Sequence, residues 1–177
     1  MVDRIAVSLG IETMLDMAVQ AVHKLTTSFR VYSMSKRSDN LSMWEWYASK
    51  HTGYCLEFAR AGLFGIVREV VYDMSYVMDV TDDAHATANW FFYKSPDWSN
   101  EEEVRLVLPK HSGGPVLQID PRLMSRVILG KDMLSTNAEQ VRTWAATRVP
   151  PVPVVTARWN PLDLTLITDS EPAPGNR

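Results

Sequence analysis

Short runs of alternating apolar and polar residues dominate this chain, and they succeed one another without a strict strand–helix–strand alternation. That order limits the fold more than any other feature. A doubly wound parallel sheet needs a helix after nearly every strand. The pattern instead predicts an α+β domain, with a mixed, mostly antiparallel sheet and about four helices.

Ile11, Leu15, Ala18, Val22 and Leu25 recur at helical spacing and predict an amphipathic helix over 11–25. A strand over 29–35 follows. Ser38, Asp39 and Asn40 are N-cap candidates for a helix that runs to about Lys50 and is stopped by Gly53. Alternation then predicts a half-buried strand over 54–59, with Cys55 and Glu57 facing opposite Tyr54, Leu56 and Phe58. Further strands are expected over 66–72, paired through a turn around Gly62 and Gly65, and over 102–108, ended by Pro109 and Gly113-Gly114-Pro115. Short strands over 116–119 and 126–129 flank a turn at Pro121, and 152–159 with 162–167 form a hairpin through Asn160-Pro161. The remaining helices are placed over 82–92, capped by Thr81 or Asp82, and over 136–147, with Ala138, Val141, Trp144 and Ala145 inward.

A length of 177 residues fits one domain, assigned to 1–168. The tail 169–177, DSEPAPGNR, is too polar and proline-rich to pack and is expected to be disordered. A net charge of -3 supplies no basic field for nucleic acid or an anionic membrane. No run approaches the ~20 apolar residues of a membrane helix, and the N-terminus lacks a signal-peptide pattern. Cys55 is alone, so no intramolecular disulfide forms, which suits a reducing compartment; a cytoplasmic location is expected. The same thiol has apolar neighbours and is expected to be inert. His23, His51, His85 and His111 lack the paired spacing of a metal site, and none is expected. Neither a dinucleotide fingerprint nor a P-loop occurs, and no serine sits in a nucleophile elbow.

Two segments stand out. In the first, Leu41, Trp44, Tyr47, Ala48 and His51 fall on one stripe of the expected helix. Trp44 and Ala48 read first as core. Tyr47 and His51, one turn apart at the helix end, could equally be structural or line a pocket. In the second, period two places Glu102, Val104, Leu106 and Leu108 on one strand face and Glu101, Glu103 and Arg105 on the other. Neighbours on one face lie ~6.5 Å apart along a strand. Arg105 beside Glu103 would hold that carboxylate ionised. Taken alone, the segment reads as a solvated salt-bridge ladder.

Together the segments resemble the bacterial family known as domain of unknown function 2971. The resemblance rests on Met43, Trp44, Tyr47, Ala48, His51, Gly53, Cys55 and Phe58, then on Lys94, Trp98, Glu101, Glu103 and Arg105. Residues 31–35 with Asp39 and Asn40, and 127–130, extend it, so that it covers about 29–167. Members of that family carry a further N-terminal segment with an Asn-Asp-Pro-Phe-like stretch, which has no counterpart here. The resemblance therefore implies an exposed sheet edge, open to a protein partner or a second copy.

The layout also resembles that of ADP-ribosyltransferases, with an aromatic and polar pocket and a Glu at the start of a late strand. This implies an NAD-acting transferase or glycohydrolase of the kind that suits a toxin or phage-defence effector. Glu103, or Glu101, would then stabilise an oxocarbenium-like centre. Trp44 and Tyr47 would stack on the leaving ring, Trp98 would add to the cofactor pocket, and His51 and Arg105 would orient ribose and phosphate. The alternative is a non-catalytic sensing or interaction module, to which six Trp and nine Met would contribute adaptable contact surface.

Overall fold

In the computed structural model, residues 16, 19–20, 22–23, 27–75, 89–110, 116–160, 162 and 165–168 are described. They form an α+β arrangement of small sheets, most of whose pairings are antiparallel. Three α-helical segments are seen among them, where about four were expected. No helix among the described residues is long and apolar enough to cross a membrane.

Among the described residues before β1 (Phe29–Ser35), 16, 19–20, 22–23 and 27–28 are helical, the last two beyond the expected helix end at 25. β1 pairs antiparallel with β6 (Glu103–Pro109), and β3 (Arg68–Glu69) pairs with the other edge of β6, giving the order β1-β6-β3. Val104 and Leu106 of β6 pack with Phe64 and Val67, with Met34 and Phe58 alongside. Glu103 and Arg105 alternate with them and point to the opposite face.

The second sheet has the order β2-β7-β8, from β2 (Tyr54–Phe58), β7 (Met124–Leu129) and β8 (Val154–Thr156). β7 runs antiparallel to β2 and parallel to β8. Its alternation explains the layering around it. Ile128 packs under α1 (Leu41–Tyr47) against Trp44 and Ala48, while Val127 and Leu129 face α2 (Ser135–Thr147) and meet Ala145. These β7 side chains are at most 1% exposed, and each buried aliphatic of this kind contributes ~1.5–3 kcal/mol. Two short pairings complete the fold: β4 (Val71–Tyr72) parallel to β5 (Tyr93–Lys94), and β9 (Arg158–Trp159) antiparallel to β10 (Leu166–Ile167).

Several expectations are corrected. α1 begins where Asn40 accepts from the N–H groups of Ser42 and Met43, but it ends at Tyr47, well before Gly53. Ser49, Lys50 and His51 all take positive φ, at 48°, 54° and 65°, and form a left-handed turn in place of the last helical turn. The turn is fastened from outside: Asp132 N–H donates to the His51 carbonyl at 3.1 Å and Gly130 N–H to the Gly53 carbonyl at 2.8 Å. A Cβ on Gly130 would lie 2.0 Å from the His51 carbonyl oxygen, which is why glycine occupies that position.

The strand expected over 66–72 is broken into a 3-10 turn (Gly62–Ile66) and the two short strands β3 and β4. Residues 117–120 are irregular, and β7 starts at Met124, two residues early. The strand expected over 152–159 is split into β8 and β9. Trp144 is 42% exposed, with the Arg148 guanidinium 5.0 Å from its ring centre, so it is not inward. Of the helix expected over 82–92, Asn89 is helical and Trp90–Phe92 is a 3-10 turn; the rest lies outside the described residues, as does the tail 169–177.

Candidate functional site

The acidic segment is not one continuous strand. Ser95 caps a 3-10 helix (Pro96–Glu101) by accepting from the Asp97 N–H, and Pro96 fits its first turn. Glu102 then takes a left-handed conformation, φ 46°, and releases the chain into β6. This kink brings the carboxylates of Glu101, at the end of the turn, and Glu103, at the start of β6, onto the same ammonium group. Lys94, from β5, donates to Glu101 Oε2 and, at 3.2 Å, to Glu103 Oε2.

Arg105 completes the cluster. Its Nε donates to Glu103 Oε1 at 2.7 Å and its Nη2 to Glu103 Oε2 at 2.9 Å, while Nη1 donates to the Phe91 carbonyl. This is the two-pronged geometry for which guanidinium suits carboxylate. The Tyr47 hydroxyl donates to Glu101 Oε1 at 3.0 Å, and Ser33 lies opposite Arg105 in the β1–β6 register. The Trp98 ring lies under Lys94, 5.1 Å from its Nζ, and packs edge-on to Trp46 at 5.7 Å. The Glu101 and Glu103 side chains are 3% and 5% exposed, so two carboxylates and two cations sit largely out of water.

The charges are held firmly. Burial pushes the Glu103 carboxyl up, but hydrogen bonds from Arg105, with the charges of Arg105 and Lys94, outweigh it and hold Glu103 below the usual carboxylate range. Burial likewise pushes Lys94 down, and its hydrogen bonds to Glu101 and Glu103 reverse that, raising it above its ordinary value. Tyr47 is raised by its hydrogen bond to Glu101, then by burial and by the Glu101 charge, so it stays a donor.

Of the residues singled out in the sequence, Tyr47, Trp98, Glu101, Glu103 and Arg105 therefore come together. Trp44 and His51 do not join them. Trp44 is core: its Nε1 donates to the Ser38 carbonyl at 2.7 Å, and its ring stacks on His51 with centroids 6.1 Å apart. His51 lies between Trp44 and Trp159, is 8% exposed, and has a buried Nδ1 without a hydrogen-bond partner. The expected stripe fails at His51 because α1 ends four residues before it. The exposed salt-bridge ladder is also corrected, since the acidic face is buried and Lys94 bridges both carboxylates. Ser33 and Tyr72, whose hydroxyl accepts from the Glu103 N–H at 2.7 Å, were missed in the sequence. Strand pairing brings Ser33 there, and no local pattern marks it.

Beside the cluster, a groove of about 940 Å³ separates β1 from β2. Tyr47 and Ser33 line it, and Tyr47 carries a hydrogen bond of the buried Glu101 carboxylate to its wall. Met34, Trp44, Phe58 and Phe64 give it an apolar floor, and Lys36, Arg37 and Arg60 with the single carboxylate Glu57 supply its charge. Cys55 also lines it; burial, then the Glu57 charge, pushes its thiol up, which lowers its thiolate fraction and slows its reaction with electrophiles. Comparison with family models, with curated proteins and with solved structures finds no match for this chain.

Proposed function

We propose that this chain is a non-catalytic interaction module whose binding face is the groove between β1 and β2. The observation that carries the reading is the state of the two glutamates. Each of their four carboxylate oxygens accepts at least one hydrogen bond from Tyr47, Lys94 or Arg105, and both side chains are withdrawn from solvent. A glutamate that stabilises a developing oxocarbenium ion must present a carboxylate oxygen to the substrate. Saturated carboxylates suit a different task, locking the start of β6 and the Tyr47 hydroxyl in place beside the groove.

The NAD-acting, ADP-ribosyltransferase-like reading is the second one, and it keeps the likeness to the 2971 family as its frame. It is favoured by the cationic side chains of Lys36, Arg37 and Arg60 along the groove, which suit phosphate, and by Tyr47 at its wall. Nicotinamide release from NAD separates the two. The module reading expects a rate equal to the protein-free blank for the full chain and for Glu103→Gln. Release by the wild type that disappears in Glu103→Gln would return the cluster to chemistry and overturn the module.

A further inference from the structure

Among the described residues, the groove is bounded by two unpaired strand edges. In the first sheet β1 is outermost, and in the second β2 is outermost. Register shows which main-chain groups face outward. Lys36 N–H donates to the Glu102 carbonyl and Lys110 N–H to the Ser28 carbonyl, both in line with the β1–β6 pairing of Phe29 with Pro109. Even-numbered residues of β1 therefore bond β6, and Val31, Ser33 and Ser35 direct N–H and C=O away from it. Gly130 N–H donates to the Gly53 carbonyl, in register with Tyr54 opposite Leu129. Cys55 and Glu57 accordingly bond β7, and Tyr54 and Leu56 turn their main chain outward. Among the described residues, no strand pairs with either edge.

We infer that the groove receives an extended peptide segment of a partner protein, which adds as a β-strand to both edges and joins the two sheets into one. The inference rests on the module reading above. Strands lie ~4.8 Å apart within a sheet, sheets pack ~10 Å apart, and each residue advances ~3.4 Å, so an inserted strand fills roughly 160 Å³ per residue. The groove of about 940 Å³ holds about six such residues, between the five residues of β2 and the seven of β1. Burying both edges satisfies donors and acceptors that an open sheet leaves to solvent.

Charge selects the peptide further. Lys36 is paired with Glu69, Arg37 with Asp39 and Glu102, and Glu57 with Arg126. Arg60, at the exit of β2, has no ion pair among the described residues and is exposed. The bound strand carries an acidic residue at that end, with apolar side chains at alternate positions toward the floor.

The test uses the full chain and a display library of random seven-residue peptides. Selected peptides are expected to alternate apolar residues and to end on Asp or Glu. N-methylation of alternate backbone amides is expected to weaken them by at least about tenfold, since each lost main-chain hydrogen bond costs about that factor. Arg60→Glu is expected to lose the acidic peptides and to select basic ones. Amide exchange at Ser33, Ser35, Tyr54 and Leu56 is expected to be fast in the free protein and slowed by the peptide. Binders that tolerate N-methylation but compete at the groove would overturn strand addition and leave the module standing. Slow exchange of those amides in dilute, peptide-free protein would show the slot filled by the chain itself, and slowing that grows with protein concentration would show a second copy; either contradicts a partner peptide. A library that gives no groove binder sinks the module reading as well.

Discussion

Replacing Arg105 by Met removes both prongs that hold Glu103, at 2.7 and 2.9 Å, from a carboxylate whose side chain is only 5% exposed. Removing one partner of a buried ion pair typically costs 3–5 kcal/mol, because the remaining charge stays out of water. Lys94 still reaches Glu103 at 3.2 Å, so the lower end applies, about 3 kcal/mol. The double variant Arg105→Met/Glu103→Leu leaves Lys94 with Glu101, one charge of each sign. It is expected to lie within about 1 kcal/mol of wild type, since an apolar replacement of a buried pair is often neutral. Urea unfolding at neutral pH measures all four corners of the cycle, and the coupling between the two sites should reach about 2 kcal/mol. The deficit of Arg105→Met should shrink on acidification, as Glu103 protonates and no longer needs a counter-charge. A single variant within about 1 kcal/mol of wild type, at unchanged m-value, would refute the claim that the pair is buried and tightly held.

Three further outcomes follow from the same geometry. Because Glu103 is held below its ordinary value of 4.5, its stabilisation is complete above that pH and is lost as pH falls through the lowered folded value. The acid slope of unfolding free energy in Glu103→Gln should therefore be smaller than in wild type by up to about one proton, and equal slopes would contradict the assignment. Gly130→Ala drives a Cβ into the His51 carbonyl at 2.0 Å and should lower stability by at least the ~1–3 kcal/mol of an overpacked site, read by thermal unfolding; a change under about 0.5 kcal/mol would show that the turn can yield. Lys50→Gly relieves a left-handed side chain at φ 54° and should be neutral to stabilising by about 1 kcal/mol, whereas a clear loss would mean that the Lys50 side chain holds the turn.

The legible parts of this fold are those set by short-range pattern. β1, β2 and the last helix were marked by alternation or helical periodicity close to their observed bounds, and Asn40 was among the cap candidates. The left-handed turn at Ser49, Lys50 and His51 was not legible, because its residues have ordinary helical compatibility. Contacts with Asp132 and Gly130, distant in sequence, hold it. The acidic segment shows the same division. The Glu103–Arg105 pair followed from period two, but the bend at Glu102 moved Glu101 off the strand and onto Lys94. Burial of the pair depends on Phe91, Trp98 and Tyr47, which arrive from other elements. The groove depends on how two sheets are ordered, and strand order has no local sequence signal.

Cys55 is the only cysteine, and it lines the groove, so its alkylation rate reports directly on that face. With a groove-selected peptide at saturation, the account predicts that reaction with N-ethylmaleimide slows by at least about tenfold at constant pH, as expected when an occupied site opens only in the unbound fraction. An unchanged rate under saturating peptide would place the binding face elsewhere on the molecule.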